Sequence, residues 1–210
     1  MSKVLENSVD VKKNQNRFKI IILSVVGIIV VLGSVFGYFK YQQTQEAKQK
    51  EKYAKLLAET SVDMYFEFLL SSVIVSTYSD VWDNAIDNRK DFNIELSKFK
   101  DGISEKGLLK DREKGRDNIR DNMKLLQDPP KEFKESYVIL KQMYGTYTKM
   151  VEQALSPTGS LIEFNRKTND LASQFEQQKE ELTITLPADV KKIKEKLEEE
   201  KNKKNKAKQI

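Results

Sequence analysis

Asp80, Asp83, Asp87 and Asp91 fall near one face of a helical pattern and are the nearest this chain comes to a metal-ligating cluster. Carboxylate oxygens suit a hard cation such as Ca²⁺, but a calcium-binding loop also needs a glycine turn, and none accompanies them. They read as a solvated helix face. The chain has no histidine, which removes the commonest general base and metal ligand. It also has no cysteine, so disulfides, thiolate nucleophiles, sulfur-held metals and a lipid anchor on an N-terminal cysteine are excluded. Carboxylate-bridged di-iron sites in helical bundles use Glu-x-x-His pairs, which this composition cannot supply.

Phosphate-cradling chemistry is equally poorly served. Only 8 glycines are present, and Gly27, Gly33 and Gly37 lie in one apolar run, leaving no P-loop, GxGxxG or GxSxG pattern. Leu186-Pro187-Ala188-Asp189 approaches a cell-wall sorting signal but lacks its Thr-Gly and its terminal apolar tail. No catalytic, cofactor-binding or metal-binding residue is therefore expected, and the chain reads as a non-enzyme.

What remains is charge and shape. The chain carries 37 Lys plus Arg against 32 Asp plus Glu over 210 residues. Its last segment holds Lys201, Lys203, Lys204, Lys206 and Lys208 with no acid among them. These are candidate contacts for an anionic envelope polymer or lipid headgroups, each lysine near an anionic surface contributing about 1 kcal/mol. Like charge and low hydrophobicity predict disorder for this tail, after a mixed-charge helix from Val190 to Glu200. No aromatic residues interleave the lysines to stack on bases, so nucleic acid is not an expected partner.

The elements that would position these residues begin with Ile20 to Phe39, an uncharged apolar run bracketed by Lys19 and Lys40. At about 1.5 Å per residue such a helix covers roughly 30 Å, the thickness of a bilayer's hydrocarbon core. Tyr38, Phe39 and Tyr41 cluster at one end as interfacial aromatics do. A secretory signal is the competing reading, but the run is long for one and no A-x-A pattern follows it. Lys12, Lys13, Arg17 and Lys19 outnumber Lys40 and Lys48 across the span, although Lys3 against Lys50, Lys52 and Lys55 evens a wider window. The expected orientation is N-terminus cytoplasmic, with everything after residue 40 extracellular. Within the span, Gly33 and Gly37 form a GxxxG pattern, a candidate face for a helix homodimer.

Beyond the span the periodicity is helical. Leu57, Ser61, Met64, Phe68, Ser71, Val75, Tyr78, Trp82 and Ala85 alternate steps of four and three, with Tyr65, Leu69, Val73 and Ile74 widening that face. One helix is expected to run from the membrane to about Asn88. Asp128-Pro129-Pro130 stops whatever precedes it, and Phe133, Tyr137, Leu140, Tyr144, Tyr147, Val151 and Ala154 mark a second long helix. Ser156 to Gly159 breaks it. Ser160 to Glu163 reads as a capping box opening a third helix with Leu161, Phe164, Thr168, Leu171, Phe175, Gln178 and Leu182 on one face. Shorter helices are expected near 91–100 and 108–127, with Ile119, Met123 and Leu126 on one face. Leu182 to Pro187 is a brief extended candidate.

The predicted fold is all-α: a cytoplasmic leader (1–19), a transmembrane helix (20–39), a polar stalk (40–55), an antiparallel bundle of about four helices (56–187) and a Lys-rich tail (188–210). Its core should hold Met64, Phe68, Trp82, Tyr137, Tyr144, Phe164 and Phe175. Tyr147 to Asn165, with the following helix ending in Thr183-Ile-Thr-Leu-Pro187, resembles small membrane-anchored, all-helical surface proteins of Gram-positive bacteria. The resemblance implies a surface location and a helical fold and carries no catalytic residues to transfer. Lacking a lipidated cysteine, this chain would rely on its span for attachment.

Two function classes follow. The first is a membrane-anchored extracytoplasmic protein that binds a protein or envelope polymer in an accessory, envelope, or exclusion and immunity role. The second is a sensor or ligand-binding bundle, or an enzyme using only Asp, Glu, Lys, Ser or Tyr. A single-span sensor would need a signalling domain inside, which nineteen residues cannot form.

Overall fold

The computed structural model describes the backbone of residues 2–207 and the side chains of Tyr38 and residues 40–204. It is all-α. The helices are α1 (Ser2–Asp87), α2 (Phe92–Glu105), α3 (Leu108–Leu125), α4 (Lys134–Leu155), α5 (Leu161–Thr185) and α6 (Ala188–Ala207), with a 3-10 turn at Lys131–Phe133 entering α4. No strand occurs among the described residues. Two compact units divide the chain, residues 1–50 and 51–210.

In the first unit the described side chains are exposed, with Gln42 Nε2 donating to the Tyr38 hydroxyl at 2.9 Å along the helix. Among the described residues no helix is long and apolar enough to cross a membrane. The expected span, residues 20–39, lies outside the described side chains apart from Tyr38, and so do Gly33 and Gly37.

In the second unit the helix boundaries follow local chemistry. Asp91 caps α2, its Oδ1 accepting from the Asn93 and Ile94 amides at 2.9 and 3.4 Å. Gly107 (φ 76°) turns the chain between α2 and α3, and Asp128 (φ 62°) with Pro129 and Pro130 separates α3 from α4. Gly159 (φ 101°) makes the next turn. Ser160 then accepts from the Glu163 amide at 3.3 Å, the serine half of the expected capping box. Leu186 is extended because it precedes a proline.

One apolar core joins the helices of this unit. The four-three series from Leu57 to Ala85 is buried throughout. Phe68 stacks on Phe175 with ring centroids 3.8 Å apart and planes 5° apart, tying α1 to α5. Trp82 packs against Phe164 and Phe92, and Tyr78 meets Phe99 edge-on. Tyr53 stacks on Phe133 and donates to the Leu126 carbonyl at 3.0 Å, closing the α3–α4 connection onto α1. The core reaches α6 through buried Val190, with Ile193 and Leu197 packed beside it.

Several expectations need correction. Tyr137 and Tyr144 are half-buried rather than core, their rings packing inward. Of the residues meant to widen the α1 core face, Ile74 is buried, Tyr65 is half-buried, and Leu69 and Val73 are exposed. The extended candidate at Leu182 to Pro187 is helical through Thr185. The predicted disordered tail continues α6 to Ala207.

Candidate functional site

The residues expected to carry function are dispersed. Asp80, Asp83 and Asp87 are exposed on α1, whereas Asp91 lies past the end of that helix and caps α2. No group of three or more potential metal-ligating residues forms among the described residues. Lys206 and Lys208 lie outside the described side chains. Lys203, 4.0 Å from Glu199, and Lys204 are exposed. Lys201 is committed elsewhere: it pairs with Asp63 of α1, and its Nζ sits 5.3 Å from the centroid of the Phe66 ring.

That contact belongs to a charged seam where α1, α3 and α6 meet. Arg112 of α3 donates to Glu67 Oε2 of α1 at 2.6 Å, with side chains only 9% and 23% exposed. Gly115, one turn along α3, leaves room for this carboxylate, since a Cβ there would collide with it. Burial pushes the Glu67 carboxyl above its ordinary range, outweighing the opposite pull of Arg112 and Lys201, while Asp63 and Asp111 reinforce the rise. Tyr147 of α4 lies within the field of this pair. Burial and the Glu67 charge raise its phenol well above the ordinary value, and its buried hydroxyl has no hydrogen-bond partner. Tyr78 is likewise buried without a partner and is pushed up to about 12 by desolvation.

Glu67 and Arg112 stand 45 positions apart, so no local motif joined them in the sequence. A signal was nevertheless present. Arg112 and Gly115 share the α3 face that carries Ile119 and Met123, placing a charge and a gap where apolar residues belong.

Several clefts flank α5, two of them lined chiefly by uncharged polar side chains. One, of about 360 Å³, has Ser72, Ser76, Ser79, Asn165 and Asn169 around Val75 and Met150, with Ser79 Oγ donating to Asn165 Oδ1 at 2.7 Å. The other lies between α4 and α5 on the opposite flank and is lined by carboxamides.

The exposed apolar residues supply the last feature. Leu69, Leu70 and Val73 are 38%, 49% and 64% exposed on the side of α1 turned away from its buried series. The chain matches no protein-family model, no curated protein and no solved structure.

Proposed function

We propose that this chain is a non-enzymatic, single-pass membrane protein whose helical domain acts outside the cell by binding a protein or an anionic envelope polymer. The observation that carries the binding role is the Leu69, Leu70 and Val73 face, where three large apolar side chains meet solvent although the same helix builds the core with its other side. The anchor rests on the uncharged run from Ile20 to Phe39. Because Lys201 pairs with Asp63, contact with an anionic polymer falls to Lys203, Lys204, Lys206 and Lys208.

Gly33 and Gly37 support a parallel homodimer in the membrane. Single cysteines at Gln45 or Lys52 of this cysteine-free chain should then crosslink to themselves. The anchor is tested by extracting membranes with alkaline carbonate. The full chain should stay in the pellet, and Val25→Lys with Ile29→Lys should release it; release of the unmodified chain contradicts the anchor.

A further inference from the structure

The geometry points to a peptide-binding groove between α4 and α5 that takes a short extended segment of polypeptide with a neutral polar centre. It is a second site, separate from the Leu69, Leu70 and Val73 face, and stands on its own lining. The two helices run antiparallel: Ser136 Oγ near the start of α4 donates to the Thr185 carbonyl at the end of α5, at 3.0 Å. Between them lies a cleft of about 460 Å³. Gln142, Gly145, Thr146 and Lys149 from α4 face Gln174, Gln178 and Glu181 from α5 across it. Gln142, Thr146 and Lys149 step by four and three along α4, and Gln174, Gln178 and Glu181 do the same along α5, so each helix contributes one continuous wall.

Gln178 points to a ligand most directly. It is 8% exposed and lines the cleft, yet its Oε1 is buried without a hydrogen-bond donor. An unpartnered buried carboxamide oxygen is destabilising, but as placed this one has no surface open to the cleft, so a ligand N–H reaches it only after the amide turns. A turn about the terminal torsion, a broad and soft degree of freedom, presents either end of the amide to the groove.

Gly145 is the second observation. It sits inside α4 with an ordinary helical backbone, where glycine is a poorer helix former than alanine. Nothing lies within 4 Å of a Cβ built there, so packing does not require glycine. The missing side chain deepens the groove.

The lining selects the ligand. Carboxamides offer a donor and an acceptor side by side, the same pair a peptide unit offers. No lining residue is aromatic, so a sugar ring finds no face to stack on. Lys149 and Glu181 stand at opposite ends, roughly 15 Å apart along the helix axes, the reach of four or five extended residues. The segment would therefore carry an acid towards Lys149 and a base towards Glu181.

The test uses the full chain in detergent micelles, with side-chain amide signals followed by NMR. The probe is a pool of N-acetylated, C-amidated peptides with Glu at one end, Lys at the other and Asn, Gln, Ser or Thr between. The Gln178 and Gln142 signals should shift, and Gly145→Trp should weaken binding at least about tenfold without lowering the thermal midpoint. Gly145→Ala, which intrudes less, should weaken it by a smaller factor. Groove signals that stay still, or that respond equally in Gly145→Trp, overturn the proposal. So do shifts produced by chito-oligosaccharide and not by the peptides. Still groove signals together with shifts in the methyl signals of Leu69, Leu70 and Val73, followed in the same titration, would remove the groove and leave the broader binding role standing.

Discussion

Lys201 of α6 and Asp63 of α1 form an ion pair 138 residues apart in sequence, and the same ammonium lies over the Phe66 ring. A lysine expected to meet an external anion is thus a docking contact of the fold. The pair is 38% and 40% exposed, so solvent screens it and its contribution to stability stays below about 1 kcal/mol. Lys201→Ala should speed amide exchange in the last turns of α6 and leave the global thermal midpoint nearly unchanged. A large fall in that midpoint would show that α6 carries more of the fold than this contact implies.

The Arg112–Glu67 pair behaves differently because it is largely buried. Arg112→Met strands the carboxylate and should destabilise the second unit by about 3 kcal/mol. Combining Arg112→Met with Glu67→Leu should recover most of that loss, giving a coupling energy of about 1–3 kcal/mol in a double-mutant cycle of urea unfolding. Additive losses would mean that the two groups do not act as a pair.

The same site sets a pH dependence. The folded-state pKa of Glu67 is raised, so the folded protein holds this proton after the unfolded chain has released it. Its contribution is therefore fully present below the unfolded value and declines as pH rises towards the folded one. The stability of the wild type relative to Glu67→Gln should fall through that window. Arg112→Met, which removes the strongest lowering influence, should move the midpoint of that decline to higher pH.

The buried hydroxyls of Tyr147 and Tyr78 find no partner. Removing an unsatisfied polar atom while keeping the ring is neutral or favourable. Tyr147→Phe and Tyr78→Phe should each change unfolding stability by between zero and about +1 kcal/mol. A loss above about 1 kcal/mol would reveal a hydrogen bond to that hydroxyl.

Gly145→Ala should stabilise the chain by up to about 1 kcal/mol, because the added methyl meets open space and the unfolded chain loses freedom. Gly115→Ala should do the reverse, since its methyl must displace the Glu67 carboxylate. Equal effects from the two substitutions would contradict this account of why each glycine is present.

Much of the fold was legible because burial imposes a period. The series from Leu57 to Ala85 named the inner side of α1 residue by residue, and Phe164, Phe175 and Leu182 did the same for α5. The period misled where apolar residues flank it: Leu69 and Val73 satisfy a wider helical stripe as sequence, yet among the described residues both stay exposed. The Lys-rich end read as disordered because like charges repel. That reading considered the segment alone, and Lys201 finds its partner on α1, 138 residues away. The charged seam and the α4–α5 groove were hidden for the same reason, each being assembled from residues far apart in the chain. Arg112 and Gly115 marked the seam in advance, and Thr146 and Gln178, polar residues at core-period positions, marked the groove.

The central claim, an anchored protein displayed outside the cell, is tested most directly by shaving intact cells with protease while following an epitope tag placed after Ile210. The account predicts that the tag is digested on intact cells while residues 20–39 remain on the membrane-bound fragment. A tag protected until the cells are lysed would place the helical domain inside and contradict it.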